Sequence, residues 1–222
     1  MRSTFARQIV NVCIVTAAIV CVTRPVFAEE NDRLFGVLPN YATVDGRPAD
    51  DGSTMTSAIS TRQSFRIASL NSFDPVVYPY VGLLTAFNGN RDSSYGGRYM
   101  RAFADNSIGN FLTTAVVPSL TNQDSRYFRS GEGGILRRMG YAAGRSAVTR
   151  TRSGHAAFNV SEIGGNALSA MISNAYYPVP ERSAANTLAR AGSMIMWDAA
   201  SFEAKEFWPD IRHMLQQMIH RH

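Results

Sequence analysis

From residue 59 onward, apolar residues recur at three- and four-residue steps, and no run of strict polar–apolar alternation appears. That period predicts helices. The first covers about 60–73, with Phe65, Ala68, Leu70 and Phe73 mostly on one side; Ser60 or Thr61 caps it and Asp74-Pro75 ends it. Residues 78–87 read as a second helix, with Pro79 in its first turn. A third, about 98–117, is stopped by Pro118. A fourth, about 134–150, sets Ile135, Leu136, Met139 and Ala142 on one face. A fifth covers about 158–176 and ends before Pro178. A sixth, about 182–207, holds Leu188, Ala191, Ile195, Ala199 and Phe202 in register, and Trp208-Pro209 breaks it ahead of a short terminal helix. The expected class is mostly α, a single bundle of about six helices.

The chain before residue 59 reads differently. Residues 9–22 are an apolar stretch broken only by Asn11 and Thr16, preceded by Arg2 and Arg7. Val26 and Ala28 supply small residues at −3 and −1 of a cut after Ala28. These are the parts of a secretory signal peptide. An apolar run of about 14 residues also falls short of the roughly 20 that a spanning helix needs. The expected organisation is a signal peptide at 1–28, a flexible acidic lead-in at 29–58 and a helical domain at 59–222. The lead-in is rich in Asp, Gly, Pro, Ser and Thr, with one apolar patch at 34–38.

Composition adds two constraints. The whole chain, 222 residues at 45% hydrophobic and net +5, suffices for one domain. Arg2, Arg7 and Arg24 would leave with the signal and no acid with them, so the exported net charge falls to +2. Cys13 and Cys21 would leave too, which excludes disulfides, thiol nucleophiles and thiolate metal ligands from the exported chain. Two uncharged stretches, 106–123 and 163–180, each contain Asn or Gln, Ser or Thr, and proline. They suit core helices of a bundle, or helices of a bundle seated in or on a membrane and packed through small residues.

Charge is unevenly spread. Residues 126–152 hold seven arginines against Glu132 alone. Arg138, Arg145 and Arg152 fall at seven-residue spacing, so on a continuous helix they share a face beside Ile135 and Met139. An exposed cationic flank of this kind suits an anionic surface such as lipid head groups. Export leaves nucleic acid aside as a partner.

A small-Asn-x-Leu-small pattern repeats at Gly109-Asn110-Phe111-Leu112-Thr113, Gly165-Asn166-Ala167-Leu168-Ser169 and Ala185-Asn186-Thr187-Leu188-Ala189. Asn106 and Glu162 each lie one turn before the later Asn. Helical geometry stacks them with Asn110 and Asn166. Small residues let helices approach, and an Asn amide can bridge them, so Asn106, Asn110, Glu162, Asn166 and Asn186 are candidates for a polar helix-packing seam.

Chemistry-bearing motifs are sparse. Asp105, His155 and Glu162 could form an acid–base cluster. His213 and His220 are seven apart and could share a face but have no third ligand, so no metal is expected, and no cofactor motif is present. Ser153-Gly154-His155 matches the Ser-Gly-His core of the membrane phosphatidic-acid-phosphatase family. No Lys-x6-Arg-Pro precedes it and no Ser-Arg-x5-His follows, so none of that family's residues carries over.

Three longer phrases are Leu34-Phe35-Gly36-Val37-Leu38-Pro39-Asn40, Ser173-Asn174-Ala175-Tyr176-Tyr177-Pro178 and Lys205-Glu206-Phe207-Trp208-Pro209-Asp210. In them the chain resembles a group of uncharacterised exported bacterial proteins, over most of its exported length. The resemblance implies export and no activity. The expected function is therefore an exported protein of the periplasm or cell envelope, of structural or interaction type. Anionic lipid or another envelope protein would be its partner. The alternative is a small envelope hydrolase using Asp105, His155 and Glu162.

Overall fold

The computed structural model describes residues 33–34, 38–44, 58–87 and 94–219. The expected signal peptide and much of the lead-in lie outside them. Among the described residues the protein is mostly α, at 71% helical. Its helices are α1 (Thr61–Phe73), α2 (Val77–Phe87), α3 (Tyr95–Phe111), α4 (Val117–Thr121), α5 (Ile135–Gly144), α6 (Val160–Ser173) and α7 (Ala184–Ile219). A π turn at Leu112–Val116 joins α3 to α4, so the two run on as one helix. Short strands β1 (Arg33–Leu34) and β2 (Leu38–Pro39) pair antiparallel. Strand β3 (Thr43–Val44) runs parallel to β5 (Tyr127–Phe128). Strands β4 (Gln123–Asp124), β6 (Val148–Thr151) and β7 (Ala156–Phe158) make a small antiparallel sheet. These strands correct the expectation that none follows residue 59; they are too short to show alternation in sequence.

Local chemistry sets most helix starts. Ser60 and Gln63 form a reciprocal capping box on α1. Asn159 caps α6 by accepting from the Glu162 N–H at 3.0 Å, and its amide donates to the Arg145 carbonyl at 2.8 Å. The α4 helix ends at Asn122, in the left-handed region at φ 56°.

Pro118 and Pro209, read as stops, both lie inside helices. A helical proline leaves the carbonyl four residues earlier without its usual donor. Ser125 Oγ donates to the Thr114 carbonyl at 2.9 Å, and the π turn absorbs the extra residue. Arg129 Nε donates to the Lys205 carbonyl at 2.8 Å. The same segment thus satisfies both prolines, and α7 continues to Ile219 instead of breaking at 208.

The bundle's interior is made of small and polar residues. Ser64, Ala68 and Ser72 fall at four-residue steps on α1 and are buried where it packs on α3 and the π turn. The buried face of α6 carries Glu162, Gly165, Asn166, Ser169 and Ser173, and it meets the π turn, α3 and α7. A Cβ on Gly165 would lie 3.1 Å from the backbone N and Cα of Thr113, so the two helices touch backbone to backbone. Among the described residues no leucine or methionine is buried, whereas six leucines and six methionines are exposed.

Two expectations are corrected here. The apolar face of α5 points outward: Ile135 is 68% exposed and Leu136 84%. Arg138 and Ala142 face inward instead. The lead-in is not wholly flexible. Ala42 and Val44 carbonyls accept from Tyr127 and Arg129 N–H groups at 2.8 and 3.0 Å, and Asn40 and Ala42 are buried.

Candidate functional site: a polar cavity within the bundle

A cavity of about 680 Å³ lies between α2, α3, the π turn, α6 and α7, closed on one side by residues 40–42 of the lead-in. That volume is typical of small-molecule sites. Its walls are charged and polar because the buried helix faces are.

One wall is the α6–α7 seam. The Asn166 amide donates to Glu162 Oε1 at 3.1 Å and to Asp198 Oδ2 at 2.8 Å, holding two carboxyl groups together. Lys205 lies seven residues after Asp198, on the same face of α7. Burial, and then the facing Asp198, push the Glu162 carboxyl well above the ordinary carboxylate range. Burial lowers the Lys205 ammonium, against the pull of Asp198 and Glu162. The Lys205 ammonium makes no hydrogen bond among the described residues.

A second wall centres on Asp105 of α3. It accepts from the hydroxyls of Tyr176 at 2.6 Å and Tyr177 at 2.5 Å. Burial holds its carboxyl above the ordinary carboxylate range despite those bonds and the nearby Arg190 and Arg101. The Arg190 guanidinium sits 3.7 Å over the Tyr177 ring and donates to Ser173 Oγ at 2.7 Å.

The third wall holds Arg145. It is 7% exposed; among the described residues its Nε has no partner and its only side-chain hydrogen bond is a long one of 3.4 Å to Thr149 Oγ1.

Asp105 and Glu162 both line the cavity, but His155 does not. It sits exposed beside the β6–β7 turn, bonded to Ser153 Oγ at 3.1 Å. The acid–base trio is not assembled. Asn166 and Glu162 belong to the seam. Asn106 and Asn110 line the cavity, and the Asn106 amide nitrogen is buried without a partner among the described residues. Asn186 is exposed near the start of α7, where its N–H takes Ser183 Oγ, so it is no part of a seam. Asp198 and Lys205 are the residues that sequence reasoning missed; their seven-residue spacing on α7 was the available signal.

The expectation of an exposed arginine stripe is overturned. Arg138 is buried and donates to Glu206 Oε1 at 3.0 Å, to the Glu206 carbonyl at 2.7 Å and to Asp210, with its guanidinium 4.5 Å over Phe207. Arg145 faces the cavity. Arg152 is half-buried and donates to Thr61 and Ser119 hydroxyls. The helix ends at Gly144, so the heptad spacing never becomes a shared face.

Glu206 is the centre of that network. It is fully buried and accepts from Tyr127 Oη at 2.7 Å and from the Ser130 and Gly131 N–H groups at 2.9 Å, besides Arg138. Burial alone would raise its carboxyl; these bonds outweigh it and hold the group below its ordinary value.

Among the described residues no cluster of three His, Cys, Asp or Glu forms a metal site, and no helix is long and apolar enough to cross a membrane. No family model, curated protein or solved structure matches the chain.

Proposed function

We propose that this is an exported cell-envelope protein of the interaction type, seated on a membrane through its apolar exterior. The observation that carries the reading is the inverted distribution of side chains. Small and polar residues dominate the interior, joined by Ile59, a few valines and the rings of Tyr127, Phe128 and Trp208, whereas no described leucine or methionine is buried and six of each face out. Every helix of the bundle except α4, which still shows Leu120, presents two or more large exposed apolar side chains. A folded protein in water gains by the opposite arrangement, at about 25 cal/mol per Å² of apolar surface buried. A single protein partner covers one face, whereas lipid can meet apolar groups on many. Because no described helix can span, the seat is interfacial. The seat rests on apolar contact and not on the arginine stripe, since Arg138 and Arg145 are buried.

Flotation of residues 29–222 with neutral phosphatidylcholine vesicles tests this. The protein should float with the vesicles and stay bound in high salt. A detergent-free monomer that remains at the bottom of the gradient would overturn the reading.

A further inference from the structure

We infer that the cavity is a binding site for a small molecule carrying an oxyanion group, a carboxylate or a phosphate, and that Arg145 is its anchor. This inference is independent of the membrane seat.

Arg145 is more than nine-tenths buried, yet no carboxylate among the described residues lies within ion-pairing distance. Among the described residues its Nε has no acceptor, and its one side-chain hydrogen bond, to Thr149, is at the limit of such a bond. The contrast with Arg138 is direct: that guanidinium has two carboxylates, a carbonyl and an aromatic ring. A guanidinium is always charged and offers a planar fork of donors that fits an oxyanion with two parallel bonds. Burying one without a counter-charge is costly, and the cost is recovered when an anion arrives. Arg145 lines the cavity, so the anion has room to do so.

Two further groups point the same way. The Lys205 ammonium and the Asn110 amide both line the cavity, and neither has a protein hydrogen bond among the described residues. Each can donate to an oxygen of the ligand. Burial also weakens the hold of Arg145 on its proton, and the opposing pull of Asp124, which is not within ion-pairing distance, does not offset it.

The protein carries its own reporter. Of its two tryptophans, Trp197 lines the cavity, while Trp208 is buried outside it. Tryptophan fluorescence is titrated with inorganic phosphate, with gluconate and with the neutral polyol sorbitol at constant ionic strength. At least one anion should give a saturable change and sorbitol none. Phosphate alone identifies a phosphoryl site, and gluconate a carboxylate site. Arg145→Gln should weaken the responding anion by at least about tenfold. Arg152→Gln, outside the cavity, should leave it unchanged. The thermal midpoint of unliganded Arg145→Gln should equal or exceed that of the wild type, which separates lost binding from lost folding. Absence of a saturable response to either anion would overturn the inference, as would an Arg145→Gln variant that binds like the wild type. A response to sorbitol alone would show a cavity that binds without the anion anchor, and would overturn it too.

Discussion

Replacing Glu206 by alanine removes the acceptor of four hydrogen bonds at once. Three of the donors are buried: Tyr127 Oη, the Ser130 N–H and Arg138 Nε. The fourth, the Gly131 N–H, belongs to an exposed residue and water can replace the carboxylate there. An orphaned buried donor costs about 1–3 kcal/mol. Arg138 keeps Asp210 and the Glu206 carbonyl, so its loss sits at the low end. The sum is about 4 kcal/mol, a large share of the roughly 5–15 kcal/mol that holds a domain folded. Urea unfolding followed by far-ultraviolet circular dichroism measures it directly. The pairing of Arg138→Met with Glu206→Leu should cost less than Glu206→Ala alone, because it removes both charges instead of stranding one. A loss below about 1 kcal/mol for Glu206→Ala would show that the network contributes little, contrary to its geometry.

Three further outcomes are expected. Gly165→Ala should destabilise by about 1–3 kcal/mol, because its methyl meets Thr113 backbone that cannot yield, while Gly164→Ala, facing only ordinary contact, should stabilise by a few tenths to about 1 kcal/mol; thermal melts of the two read the opposite signs. Arg145→Met should stabilise the unliganded protein by about 1–4 kcal/mol in the same urea assay. The two glutamates should give opposite pH slopes. Glu162 binds its proton more tightly when folded, so its contribution is complete below its ordinary value of 4.5 and is lost as pH rises through the higher folded value. Glu206 is held low, so its contribution is present above 4.5 and is lost as pH falls through the lower folded value. Melting temperatures across pH should therefore lose their decline above 4.5 in Glu162→Gln and keep their acid limb.

Helix positions were largely legible because their signals are local. Ser60, Gln63 and Asp74-Pro75 bound α1 through contacts a few residues long. Pro118 and Pro209 misled for the opposite reason. The groups that let helices pass through them, Ser125 and Arg129, lie seven residues ahead of the one and eighty behind the other in the chain. Periodicity identified faces but not which face is inside. On α5 it grouped Ala142 with Ile135, Leu136 and Met139, but the packing against α7 buries Ala142 together with Arg138 and leaves the other three exposed. The seam shows the same limit. Glu162 and Asn166 share a face by helical arithmetic, whereas Asp198, which Asn166 bonds, comes from a helix whose placement no local pattern encodes.

The apolar exterior is the centre of the account, and fractionation of the source cells tests it most directly. Membranes are washed with high salt and then treated with mild detergent, and the protein is followed by immunoblot. It should stay with the membranes through the salt wash and leave them only in detergent, since no exposed arginine stripe holds it there. Recovery in the soluble fraction, or release by salt alone, would contradict the account.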